Sequence, residues 1–336
     1  MTADKFSASS RNASDQRTVL VTGGAGFIGS HVVEALLGRG DRVVVLDNFD
    51  PFYDPAIKRA NLAGLRGHPG FELVEGDLLD ARDLDRAFAT APFDAVIHLA
   101  ARAGVRPSIA DPDLYDQVNV LGTTRLLQRV TRGGAGHLVF ASSSSVYGST
   151  TPVPFREDAA ADRPSSPYAA TKRAGELACY AVHELYGIPV TCLRLFTVYG
   201  PRQRPEMAIH RFARLIAAGK TVSVFGDGSA RRDFTYVADI VSGILAAVDR
   251  PGGYRVYNLG TTHTTRLDDL VGLIASILGA PLRMLHEPLQ AGDVPITYAD
   301  ISRAERELGY QPQTSLEAGV RAFLAWFQEK SLASAA

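Results

Sequence analysis

The sequence predicts an α/β protein: a doubly wound parallel sheet with a smaller C-terminal lobe. Three observations carry this. Short, β-branched apolar runs alternate with helix-like stretches as far as Leu195, a glycine-rich loop parts the first run from the first helix, and the alternation loosens beyond Phe196. Continuous apolar strands separated by helices indicate a parallel sheet covered on both faces. Such sheets bind ligands beyond the carboxyl ends of their strands.

In order, residues 18–21 read as the first strand, followed by Thr22-Gly23-Gly24-Ala25-Gly26-Phe27-Ile28-Gly29 and a helix through about Leu37. Strands are expected at 42–46, 71–74, 95–99, 137–140 and 190–194, with a helix near 113–131 before the fifth. Past Phe196, helices near 207–218, 237–249, 267–278 and 316–329 surround short strands at 222–225 and 254–259. The chain is expected to rejoin the main sheet around 233–260. Residues 17–195 therefore read as a dinucleotide-binding domain and 196–330 as mainly a substrate-binding lobe. Residues 1–16, polar and without an apolar run, read as a disordered tail and not as a signal peptide.

Of the 336 residues, 46% are apolar and 21% charged, the composition of a soluble globular protein. A formal net charge of -1 supplies no basic field for nucleic acid or anionic lipid, so neither partner is expected. No segment has the apolar length of a membrane span, and a cytoplasmic location is expected. The two cysteines, Cys179 and Cys192, read as free core thiols. The eight histidines are scattered, and no metal site is expected.

Glycines between the first strand and first helix permit a tight turn and close approach of backbone to a pyrophosphate. The helix N-terminus then offers free N–H groups and positive dipole to the phosphates. Asp47 follows Gly29 by 18 residues, where an acid accepts hydrogen bonds from a ribose 2′-OH and repels a 2′-phosphate. NAD is thus favoured over NADP. Asp77, after the third strand, stands where the adenine end should lie. Small residues after His98 suit a flat cofactor passing close by, and His98 itself reads as a packing residue.

Tyr168 and Lys172, four apart on a helix, share one face. Near a bound cofactor, the ammonium is expected to favour phenolate and draw the phenol's pKa down from about 10, making a base fit to take a proton from a sugar hydroxyl. The fifth strand runs into Ser142-Ser143-Ser144-Ser145, a loop on the same ligand-facing edge.

The glycine loop, Asp47, the serine loop and the Tyr168/Lys172 pair together resemble the extended short-chain dehydrogenase/reductase family, over nearly the whole chain. Within it the sequence looks most like nucleotide-sugar 4-epimerases. The resemblance implies a Rossmann sheet and NAD that stays bound between turnovers. Ser143 matches the catalytic serine, Tyr168 the base and Lys172 its partner. The cofactor is implied to touch Gly23, Gly26, Phe27, Ile28 and Gly29, then Asp47 and Asn48, then Asp77 and Leu78. Leu99, Ala100, Ala101 and Asn119 complete that set with Tyr168 and Lys172. The implied reaction takes hydride from C4 of a sugar nucleotide and returns it to the other face. Nucleotide-sugar dehydratases and decarboxylating relatives place an acid in the serine loop; serine at 144 and 145 argues against both.

Segment 195–207 resembles the substrate loop of UDP-glucuronate 4-epimerases, with Thr197 and Arg204 facing the carboxylate and Ser144 and Ser145 beside it. Arg232 resembles the arginine that holds the diphosphate, Asp293 belongs to the loop meeting the nucleotide ribose, and Arg106 approaches the sugar or diphosphate. Met207 and Phe212 are implied uracil contacts. Arg202-Gln203-Arg204 departs from the commoner aromatic-Gly-Arg form of this loop, which keeps a UDP-glucose/UDP-galactose epimerase open. A non-catalytic NAD-binding regulator is the reading from another class. The family also implies a homodimer, formed through the helix near 113–131 and the Tyr168 helix, with Leu177, Ala178, Ala181, Val182 and Leu185 as its apolar stripe.

Overall fold

Six of the seven strands of the central sheet come from the first part of the chain: β1 (Thr18–Thr22), β2 (Arg42–Asp47), β3 (Phe71–Glu75), β4 (Ala95–His98), β5 (Leu138–Ser143) and β6 (Val190–Leu195). The seventh, Tyr254–Leu259, returns from the lobe and pairs with β6. The computed structural model describes residues 16–335, with side chains described through Lys330. The tail read at 1–16 lies outside the described residues, apart from Gln16.

All seven strands run parallel, in the order returning strand, β6, β5, β4, β1, β2, β3. The order reverses between β1 and β4, so a crevice opens where the loops at their carboxyl ends diverge. One face packs Val33 and Leu36 of helix Phe27–Gly38 with Ile240 and Ile244 of helix Val237–Val248. The other packs Leu126, Val130, Cys179 and Val182. Both faces being covered explains why the strands are apolar without alternation.

The lobe has its own core of Ile209, Phe212, Ile216, Leu270, Ile274 and Phe323. Phe212, read as a uracil contact, is 4% exposed and belongs to this core. Its helical spacing reflects packing. Helices Pro55–Leu62, Ala81–Ala87 and Ser302–Leu308 were not expected; each is short, with too few turns for a clear apolar period. The helix expected near 113–131 divides into an α-turn at Pro112–Tyr115, a π-helical stretch at Asp116–Gly122 and an α-segment at Thr123–Arg129.

Helix Pro167–Tyr186 carries Tyr168 and Lys172. Ser166 Oγ accepts from Ala169 N at 3.2 Å, Pro167 opens the first turn, and Gly187 closes the helix at φ +67°. A Cβ on Gly175 would lie 2.4 Å from Phe140 Cζ, so glycine lets this helix sit close on β5. Of the stripe assigned to self-association, Leu177 and Leu185 are exposed, whereas Val182 is buried against the sheet. Among the described residues, no helix is long and apolar enough to cross a membrane.

Candidate active site

The glycine loop forms one wall of a cavity of about 410 Å³ at the carboxyl edge of the sheet. Gly23 sits at φ +72°, and a Cβ there would stand 2.7 Å from Ala100 N. A Cβ on Gly29 would stand 2.1 Å from the Gly23 carbonyl oxygen. Helix Phe27–Gly38 starts at Gly26 with no side-chain cap, leaving its first-turn N–H groups for an anion. Asp47 accepts from Ala25 N at 2.9 Å and Phe49 N at 2.8 Å, tying the glycine loop to the loop after β2. Burial raises its carboxyl above the ordinary value, and these backbone bonds offset only part of that rise. Each oxygen keeps a lone pair for a ribose hydroxyl. Asn48 lines the same wall and donates to Asp77 Oδ2 at 2.8 Å; Leu78, Leu99, Ala100 and Ala101 continue it. This cradle fits a dinucleotide without a 2′-phosphate.

Asn119 does not line the cavity. Its amide accepts from Arg102 N at 2.8 Å and donates to the Arg102 carbonyl and to Thr171 Oγ1, both at 3.0 Å. Both of its donors and one acceptor lone pair tie the segment after β4 to helix Pro167–Tyr186. The π-helical stretch that contains it gives no sequence signal of this inward turn.

At the end of β5, Ser143 Oγ accepts from Ser145 N at 3.2 Å and donates to Ser145 Oγ at 3.1 Å. Ser143 also lies near enough to the Tyr168 hydroxyl to favour its ionised form. Lys172 Nζ donates to the Ala141 carbonyl at 2.8 Å, and burial lowers it to about 8. Burial raises the pKa of Tyr168 above that of an ordinary phenol, and the groups opposing this are Ser143 and Arg204. The Tyr115 ring meets Tyr168 edge-on at 6.2 Å. His98 is buried between Thr22 Oγ1 (2.7 Å) and Thr123 Oγ1 (2.9 Å); desolvation lowers it to about 3, so it stays neutral.

Thr197, Ser144, Ser145, Met207 and Arg204 line the cavity beside this corner. The three residues of the unusual loop part company. Arg202, at φ +66°, pairs with Glu34 at 2.6 Å, and Gln203 is buried, donating to the Val198 carbonyl at 3.2 Å. Arg204 turns to the cavity with its Nε 3.1 Å from Glu206. Sequence reasoning missed Phe52, Tyr53, Lys58 and Arg102, which line the same space. The available signal was the position of Phe52 and Tyr53 just past the carboxyl end of β2, on the ligand edge.

Arg106, Arg232 and Asp293 are brought together in a neighbouring cluster. Arg106 pairs with Asp293 at 2.8 Å and lies 4.2 Å over the Phe225 ring. Arg211, also missed, approaches that ring at 5.4 Å. Burial pushes Arg232 down, Asp293 opposes this, and Arg106 adds to it. The cluster adjoins the cavity, because Val105 lines it and a Cβ on Gly292 would lie 2.7 Å from Val105 Cγ1.

A dinucleotide cradle and a proton-transfer corner in one cavity define a nucleotide-dependent redox enzyme on a doubly wound sheet. Residues 19–260 match the model of the NAD dependent epimerase/dehydratase family, and the chain belongs to that family. It is 45% identical over 329 residues to UDP-glucuronate 4-epimerase 4 of Arabidopsis thaliana, covering 92% of this chain and 75% of that protein. Among solved structures it resembles UDP-glucuronic acid 4-epimerase from Bacillus cereus in complex with UDP-glucuronic acid and NAD. That match has a TM-score of 0.87 and 35% identity, over 93% of this chain and 99% of the other. The UDP-glucose 4-epimerase of Thermotoga maritima gives a TM-score of 0.87 and 33% identity, over 94% and 99%.

Proposed function

We propose that this protein epimerises C4 of UDP-glucuronate, giving UDP-galacturonate through a transient 4-keto sugar. The observation that carries this reading is Arg204, which lines the cavity shared by Ser143, Tyr168 and Lys172 and whose charge acts on the Tyr168 phenol. A guanidinium meets both oxygens of a carboxylate as a rigid fork.

In this reading residues 17–195 and the returning strand hold NAD, and residues 196–330 mainly hold the sugar nucleotide. NAD supplies the hydride acceptor and donor. Tyr168 takes the 4-OH proton as hydride leaves C4 and gives it back after the ketone has presented its other face. Ser143 hydrogen-bonds the reacting oxygen, and Lys172 holds the nicotinamide ribose and balances the phenolate. Arg106 and Arg232 serve the diphosphate, Asp293 the nucleotide ribose and Met207 the uracil. A 4-keto glucuronate is a β-keto acid, which loses CO₂ when its carboxylate rotates into alignment. Thr197, Ser144, Ser145 and Arg204 hold that group in a non-reactive orientation.

The test compares UDP-glucuronate, UDP-glucose and UDP-N-acetylglucosamine with no NAD added. The expected result is a preference for UDP-glucuronate, with NAD released when the purified protein is denatured. NADP in its place, or active protein without nucleotide, would overturn the cofactor reading. A wild-type protein that turns over UDP-glucose and ignores UDP-glucuronate would make it a UDP-glucose/UDP-galactose epimerase. Charge-assisted hydrogen bonds contribute about 1.5–3 kcal/mol, so Arg204→Leu should lower the UDP-glucuronate to UDP-glucose specificity ratio by about ten- to more than a hundredfold. An unchanged ratio would remove Arg204 from carboxylate recognition.

We further propose a cytoplasmic homodimer joined through helix Pro167–Tyr186 and the helical segment before β5. Leu177 and Leu185 support it, with 56% and 73% of their surface exposed. Light scattering should give twice the chain mass, and Leu177→Glu should reduce it to one chain; a monomeric wild type would end the proposal.

A further inference from the structure

We infer that Phe52 is a specificity-determining positioning residue, which with Arg102 brackets Arg204 and sets its guanidinium for a substrate carboxylate. The inference rests on the UDP-glucuronate reading. The centre of the Phe52 ring lies 5.7 Å from Arg204 Cζ and 5.0 Å from Arg102 Cζ. An aromatic face attracts a guanidinium through its quadrupole, and one ring serving two cations also lets them share a small space. Arg204 pairs with Glu206 through Nε at 3.1 Å and lines the cavity.

The ring is held as a built feature. Asp50 Oδ1 accepts from Phe52 N at 2.8 Å and from Arg102 Nη1 at 2.6 Å. The Asp50 carbonyl accepts from Lys58 Nζ at 2.7 Å, and Asp50 N donates to Asn48 Oδ1 at 2.9 Å. The Arg102 backbone is fixed in turn by Asn119, and Arg102 Nε is buried with no hydrogen-bond partner. This strap leaves β2 immediately after Asp47. It therefore joins the wall that carries Asp47 and Asn48 to the wall that carries Arg204, and any tilt of the ring reaches the guanidinium directly.

The experiment is a double-mutant cycle of Phe52→Leu and Arg204→Leu, measured as kcat and KM for UDP-glucuronate and UDP-glucose, with bound NAD as the check on folding. A partly exposed cation–π contact corresponds to about two- to fivefold in binding. Phe52→Leu should therefore raise the UDP-glucuronate KM about two- to fivefold, lower the specificity ratio by the same factor, and leave kcat near wild type. In the Arg204→Leu background it should change the ratio no further, and Phe52→Tyr should restore the wild-type value. Phe52→Met preserves the side-chain bulk should Phe52→Leu fail to retain NAD. Additive effects, equal losses on both substrates, or no rescue by tyrosine would overturn the bracket while UDP-glucuronate turnover by the wild type still stood. A wild type inactive on UDP-glucuronate would overturn both.

Discussion

Tyr168→Phe is expected to lower turnover by about two to four orders of magnitude while NAD stays bound. The substitution removes one oxygen and keeps the ring that packs edge-on against Tyr115 at 6.2 Å. The dinucleotide cradle is built elsewhere, from the glycine loop and Asp47, so bound NAD separates lost chemistry from lost structure. Burial raises the Tyr168 pKa, and Ser143 and Arg204 oppose that rise. Activity should therefore fall as pH drops and the phenolate fraction shrinks, and Ser143→Ala should move this acid limb to higher pH with a smaller loss of turnover than Tyr168→Phe. Near-normal turnover in Tyr168→Phe, measured as isomer formation, would mean that another group is the base.

Arg194→Leu should destabilise the fold by about 3–5 kcal/mol, the usual consequence of leaving one partner of a buried pair alone. Glu176 is fully buried on the Tyr168 helix. Its Oε1 accepts from Ser142 Oγ at 2.6 Å and Arg194 Nε at 2.9 Å, and its Oε2 accepts from Arg194 Nη2 and Arg173 Nη1 at 2.8 Å each. Ser142 precedes Ser143, so this network fixes helix Pro167–Tyr186 against β5 and β6. Burial alone would raise the Glu176 carboxyl, but Arg194 and the hydrogen bonds outweigh it and hold it below the ordinary range. A depressed folded value contributes stability that is fully present above the unfolded value of about 4.3 and is lost as pH falls through the folded one. In Arg194→Leu burial dominates, so the deficit should be largest at neutral pH and narrow as the medium approaches the carboxylate range. Urea unfolding of both proteins at pH 7.5 and pH 5 measures it. Equal midpoints at pH 7.5 would show that Ser142 and Arg173 suffice.

The sheet, the glycine loop and the shared helix face of Tyr168 and Lys172 were legible because each is a local pattern, whereas Ser143 was matched through the family resemblance. An apolar run bounded by turns makes a strand, a glycine fits where a Cβ would strike backbone, and residues four apart share a helix face. Leucine, valine and isoleucine at β1, β2 and β4 could face only a covered sheet, which fixed the ligand edge as well. Other outcomes belonged to contacts between distant segments. Asn119 faces inward and gives its amide to Arg102 and Thr171; Phe212 turns into the lobe core; and Tyr168 is raised by an enclosure that no spacing encodes. Phe52, Arg102 and Arg204 meet because β2 and β4 flank β1 and the loop at 200–207 folds back over their carboxyl ends. The sequence alone determined the scaffold and the groups able to move a proton and cradle a dinucleotide. The tertiary structure decided which cations and rings surround the sugar end, because long-range neighbours follow from strand order and packing, and neither is written in any one stretch of the chain.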